Sequence, residues 1–222
     1  MIRRDYLMRM IEQCLQALTR SQRLVQEGAS EQARQELDQA IRELAGLDLA
    51  QISQRSEAEL LGLLLQGEPT QILRQKCMLL VALLRQAAEI FSVQGKLAES
   101  RACVLKGLNL QLEMLLREDP FEMPEFVPRV EAMVNAYGNE PLPLRTNAAL
   151  MQHYERVGLF AKAEDVLFNL LNDTTAPPGL KEFGLQFYER LLRQSDQALD
   201  AGSLPRAEVE SGLAELRARD RV

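Results

Sequence analysis

NAALMQHYERVGLFAKAEDVLFNLL, residues 147–171, decides the fold. Leu150, Tyr154 and Val157 recur at spacings of four and three, which places them on one face of a helix that runs to Val157. Gly158 follows, a residue that tolerates the left-handed conformation in which helices end. A second apolar stripe starts at once: Phe160, Ala163, Val166, Leu167, Leu170 and Leu171, on a helix predicted from about Leu159 to Leu171. Ala163 is small enough for two helix axes to approach. A connection this short forces the two helices antiparallel.

The same offsets recur upstream. Phe91, Gly95, Leu97, Ser100 and Val104 repeat the pattern of Tyr154, Gly158, Phe160, Ala163 and Leu167, and Leu24, Gly28, Ser30, Ala33 and Leu37 repeat it more weakly. This pattern resembles the tetratricopeptide repeat, in which an aromatic precedes the glycine and a bulky, a small and an apolar residue follow it at these distances. The three glycines are separated by near two of that family's periods of about 34 residues, so extra helices are expected between the hairpins. The opening MIRRDYLMRMIEQ, with YERVGLFAKAEDVLF, also resembles an uncharacterised bacterial family of TPR-like proteins. The resemblance implies an all-α fold: antiparallel helical hairpins in a short TPR-like right-handed superhelix of about nine or ten helices. It implies no activity.

Composition agrees with an all-helical chain. Leu, Ala, Glu, Gln and Arg dominate, and no alternating run reads as a strand. The 222 residues read as a single domain, 1–222, with either a subdomain junction or an ordinary inter-hairpin turn at 118–125. A net charge of −6, no Trp and 5% aromatic residues argue against a nucleic-acid partner. No segment is apolar enough to cross a membrane, and Asp5, Arg9 and Glu12 interrupt any signal-like run, so a cytoplasmic protein without a membrane partner is expected. Cys14, Cys77 and Cys103 each fall in an apolar helical pattern without a C-x-x-C pair, and read as buried free thiols rather than a zinc or dithiol centre.

In chain order, a helix is expected from Ile2 to Gln26, with Leu7, Met10, Ile11, Cys14, Leu15, Leu18 and Val25 inward. Ser30 is expected to cap the next helix, which Gly46 stops, with Leu47–Ser53 a connector. Ser56 and Glu59 have capping-box spacing ahead of a short helix through Leu60–Leu65. Gly67 and Pro69 mark a turn before a long helix to Gln94, whose run Cys77–Leu84 reads as buried on most sides, and Leu97–Arg117 pairs with it. Helices are then expected at Pro124–Tyr137, in the quoted hairpin, at Leu180–Ala201 with Leu185, Tyr188, Leu191, Leu192 and Leu199 inward and Phe183 and Phe187 nearby, and at Arg206–Arg219. Breaks fall at Gly138–Pro143, Asn172–Gly179 and Gly202–Pro205.

No catalytic, cofactor-binding or metal-ligating constellation stands out. His153 is the single histidine, and its HYE lacks the P-C-x-x-C partner of a zinc deaminase. GLLLQGE and GLKEFGL have glycine spacing without a phosphate-binding Lys. A binding surface remains. Carrying the repeat family's concave positions over residue by residue gives Arg85, Glu89 and Ser92 in one hairpin and Arg145, Gln152 and Glu155 in the other. Arg85 and Arg145 share a repeat position and could clamp a carboxylate, or Arg85 could pair with Glu89. The expected function is non-enzymatic: a protein- or peptide-binding adaptor or assembly factor. One rival is a structural homodimer through the Met-rich first helix or the last helix. Another is a small-molecule binder or enzyme with a site inside the superhelix.

Overall fold

The structure, a computed structural model, describes residues 2–65, 70–117, 121–172 and 179–218. All its regular elements among these residues are helices, twelve in number. They are α1 (Ile2–Gln26), α2 (Ser30–Ala45), α3 (Leu49–Gln54), α4 (Glu57–Leu65), α5 (Thr70–Val93), α6 (Leu97–Arg117), α7 (Val130–Tyr137), α8 (Leu144–Arg156), α9 (Phe160–Leu171), α10 (Leu180–Leu191), α11 (Asp196–Ala201) and α12 (Arg206–Ala218). The fold is all-α. No helix among the described residues is long and apolar enough to cross a membrane. The chain divides into two compact units, Met1–Glu140 and Pro141–Val222, at the break that follows Tyr137. Phe121–Glu125 lies within the first unit, and residues 118–120 lie outside the described residues, as do the expected turn residues Gly67 and Pro69.

In the first unit α1 pairs with α2 and α5 with α6, while α5 also packs on α1, α2 and α4, and α7 on α6. This makes α5 the central element: every residue from Cys77 to Leu84 is buried, because neighbours surround the helix and no face is left for polar side chains. Gly107 lets α7 approach α6, since a Cβ there would meet the Met133 methyl at 2.8 Å. The three cysteines are free and buried. Burial, and then the nearby carboxylates of Glu43 and Glu99, push Cys14 up to about 11 and Cys103 up to about 12, so both are held as thiols.

In the second unit α8 pairs with α9, and α10 packs on α9 and α12. Gly184 on α10 permits this, because a Cβ would meet Leu216 at 2.7 Å and Leu167 at 3.2 Å.

The three hairpin turns marked by the repeated pattern share one hydrogen-bond scheme. Ala29 N–H donates to Leu24 O, Lys96 N–H to Phe91 O and Leu159 N–H to Tyr154 O, each at 2.8 Å. Gly28, Gly95 and Gly158 take φ of 78°, 73° and 77° one residue earlier. The small residues Ala33, Ser100 and Ala163 are buried, as are Leu37, Val104 and Leu167. A fourth turn, between α11 and α12, has the same bond, from Leu204 N–H to Leu199 O at 3.0 Å. Its left-handed residue is Ser203, φ 59°.

Several expectations are corrected. Leu47–Ser53 is not a plain connector, because Asp48 and Gln51 form a reciprocal capping box that starts α3. Ser30 is not a cap: Ala29 takes that position, and the Ser30 hydroxyl accepts from Gln94 Nε2 at 3.3 Å instead. The predicted box at Ser56 and Glu59 does form. The helix expected from Pro124 starts only at Val130, after a turn at residues 125–127. Pro128 therefore precedes the helix, and its carbonyl accepts from Gln111 Nε2 at 2.7 Å. The span Leu180–Ala201 is two helices, since Ser195 caps α11 by accepting from Ala198 N–H. The buried stripe of α10 is Leu180, Gly184, Phe187, Tyr188 and Leu191, and Leu185 and Leu192, about 100° round the helix from its centre, are half-buried. Val157, expected inward, is 52% exposed, because it is the residue at which the chain leaves α8. On α1 the deepest line is Met10, Cys14, Ala17 and Ser21, with Leu7, Ile11, Leu15, Leu18 and Val25 half-buried beside it. The described residues hold twelve helices rather than nine or ten because α3 and α11, 6 residues each, are too short for periodicity to register.

Candidate binding groove

Two helices of the second unit build an open groove. α8 commits Thr146, Leu150, Met151, His153 and Tyr154 to the core, which turns Gln152, Glu155 and Arg156 the other way. α10 commits Leu180, Gly184, Phe187, Tyr188 and Leu191, leaving Phe183, Gln186 and Arg190 at spacings of three and four on its other side. These two outward rows, with Gln194 just past the end of α10, line a groove of about 520 Å³.

A charge pair in it spans the two helices. Arg190 donates from Nε to Glu155 Oε1 at 2.6 Å and from Nη2 to Glu155 Oε2 at 2.8 Å. This is the two-pronged geometry in which guanidinium and carboxylate fit best. The bonds to Glu155 raise the Arg190 pKa above its already high ordinary value, so the charge is permanent. They engage two of the five guanidinium N–H groups and fix the plane that carries the other three. Arg156, Gln152, Gln186, Gln194 and the half-buried Phe183 line the same groove. Carboxamides both donate and accept, as peptide groups do, and a fixed guanidinium attracts a carboxylate.

The opposite side of α10 is acidic. The Tyr188 hydroxyl, wholly buried, donates to Glu164 Oε1 at 2.6 Å. Gly212 on α12 gives this pair its room, because a Cβ there would meet the Tyr188 oxygen at 2.3 Å. Burial raises the Glu164 carboxyl above the usual carboxylate range; the Tyr188 bond opposes that rise, and the charges of Glu208, Asp165 and Glu215 add to it.

The sequence-predicted residues divide between the units. Arg85, Glu89 and Ser92 lie on α5, with Arg85 half-buried and the other two exposed. Arg145, Gln152 and Glu155 lie on α8. Gln152 and Glu155 come together in the groove, while Arg145 is exposed in the first turn of α8, two turns before Gln152. His153 faces away from the groove, buried with its ring centroid 5.8 Å from that of Tyr154. The α10 wall escaped the sequence reading. Its signal is the polar row Gln186, Arg190 and Gln194 at intervals of four, hidden because Leu185 and Leu192, expected inward, flank the buried stripe instead.

The chain belongs to the family of unknown function DUF6483, whose model matches residues 1–220. Neither a curated protein nor a solved structure matches it.

Proposed function

We propose that this DUF6483 member is a non-enzymatic binding module, an adaptor or assembly factor, whose α8–α10 groove takes an extended peptide segment carrying a carboxylate. The observation that carries this reading is the Arg190 guanidinium, locked by Glu155 in a groove that Gln152, Gln186 and Gln194 also line. A pre-oriented guanidinium loses little freedom on binding, so most of its attraction for an anion is retained. The carboxamides suit the peptide groups on either side of that anion, and Phe183 suits a neighbouring apolar side chain. The repeated turn geometry supports a TPR-like reading of the hairpins that hold the groove. Glu155 acts here as a positioning residue. The guanidinium of the predicted Arg85–Arg145 clamp is replaced in this reading by Arg190, with Arg156 beside it.

Fluorescence anisotropy with one flexible labelled peptide in acidic, neutral and basic versions tests this. The acidic version is expected to bind most tightly, with affinity that falls as salt rises. Arg190→Ala is expected to weaken it by about tenfold or more, and Glu155→Gln by less, since an amide still accepts one N–H. Equal binding of acidic and basic versions, or full binding by Arg190→Ala, would discard the reading.

A further inference from the structure

A second surface, in the first unit, has a chemistry of its own. Along the outside of the α1–α2 hairpin two depressions of about 190 and 270 Å³ share Gln13, Ala40 and Glu43, and so form one groove from Tyr6 to Arg20. Fourteen residues of helix span about 21 Å. Ala17 and Ala40 form part of its floor and keep it shallow. Its two walls differ in charge. The α1 wall presents Arg9, Gln13, Gln16 and Arg20, with no acid among them, and the α2 wall presents Glu36, Gln39 and Glu43, with no base. Tyr6, 56% exposed, closes one end.

We propose that this face is where a second copy of the chain docks, to form a reversible two-fold dimer. The levels of the charges favour it. Arg20 Nε donates to Glu36 Oε2 at 3.0 Å across the hairpin, so these two lie level, and Gln13 and Glu43, each two turns further on, lie level as well. Arg9 is one turn beyond Gln13, within the reach of its long side chain to the level of Glu43. A two-fold axis running along the groove lays each copy's α1 on the other copy's α2 without shifting these levels. Each Glu36 is then flanked by its own Arg20 and its partner's, and each Glu43 faces its partner's Arg9. An axis across the groove would set arginine row on arginine row. The charge pattern is therefore complementary to itself in one orientation, which singles out a second copy as the occupant. The face is about 24 Å long, the length of α2, and two helices wide, near 500 Å² a side. That is the low end for a specific interface and fits a reversible dimer rather than a permanent one.

The test uses the full chain in two charge-reversed forms. One carries Arg9→Glu and Arg20→Glu, the other Glu36→Arg and Glu43→Arg. Sedimentation equilibrium across a concentration series reads the mass, and circular dichroism checks that each form keeps its helix. The natural sequence is expected to pass from one-chain to two-chain mass with concentration, less readily in high salt. Each reversed form alone is expected to self-associate at least about tenfold more weakly. Mixed, they should pair one to one at about the natural strength, because both walls are then complementary again. Restored folding cannot mimic that result, since the pair Arg20–Glu36 within each chain stays mismatched. Should a double variant lose helix, Arg9→Glu and Glu43→Arg give the same readout with the Arg20–Glu36 bond intact. A one-chain mass at all concentrations, undiminished dimer in either reversed form, or no pairing on mixing would each overturn the proposal.

Discussion

Ser203 holds φ at 59°, the left-handed region that side chains with a Cβ enter at a cost. It stands where the three other hairpin turns place glycine, while the glycine of this turn, Gly202, comes one residue early with an ordinary φ of −80°. Gly202 is there for a different reason. A Cβ would lie 2.4 Å from the Phe160 ring and 2.6 Å from the Gly158 carbonyl, and the Gly202 carbonyl accepts from Ala161 N–H at 3.1 Å. The two neighbouring residues therefore make opposite predictions. Ser203→Gly relieves the backbone and is expected to stabilise the second unit by about 0.5 kcal/mol after the entropy cost of glycine. Gly202→Ala forces Phe160 or the backbone of the α8–α9 turn to move and is expected to cost about 2–3 kcal/mol. Urea denaturation read by circular dichroism separates them. A neutral Gly202→Ala would mean that the two turns are not in the contact described.

At the scale of the element, the hairpin turn is the unit that the sequence specifies best. Gly28, Gly95 and Gly158 each have open space around the position of a Cβ, so an alanine there meets no atom and costs only backbone conformation. Each Gly→Ala change is expected to lose about 1 kcal/mol, and Gly→Asn about half of that, since asparagine tolerates the left-handed region. Equal losses for alanine and asparagine in urea titrations would contradict a purely conformational cost. These turns were legible because one positive φ and one buried small residue, such as Ala163, admit few residue types. The short helices were not legible by period. α3 is 6 residues long, too short for a stripe, and its signal is instead the Asp48–Gln51 capping box. The candidate groove was legible only on its α8 side. Gln152 and Glu155 follow from repeat positions on α8, but Arg190 was masked by Leu185 and Leu192, apolar residues that only flank the buried stripe of α10 and are half-buried. Polar rows outside a core obey no packing rule, so only contact with Glu155 distinguishes Arg190 from Arg193.

At the scale of the whole molecule, carboxylates of opposite character set the response to acid. Glu57 shows the commoner sign. Burial pushes it up, but its own backbone amide, Lys106 and Asn109 together hold its pKa below the ordinary 4.5. A carboxyl lowered in the folded state contributes stability above the ordinary value and loses it as pH falls through the folded value. Glu164 has the reverse sign: raised above 4.5, it binds its proton more readily folded than unfolded. Its contribution is complete below 4.5 and is lost as pH rises through the raised value. Glu57→Gln is therefore expected to lower stability near neutrality by about 1 kcal/mol, with the difference closing in acid. Glu164→Gln should do the opposite. The glutamine oxygen still accepts from the Tyr188 hydroxyl, and the repulsion from Glu208, Asp165 and Glu215 is gone. Its Tm should equal or exceed that of the natural sequence at neutral pH, and the advantage should vanish below 4.5. Calorimetry of the two variants across this range checks both signs at once. A Glu164→Gln variant that loses stability at neutral pH would mean that the carboxylate charge itself, beyond its capacity to accept from Tyr188, holds α10 on α9.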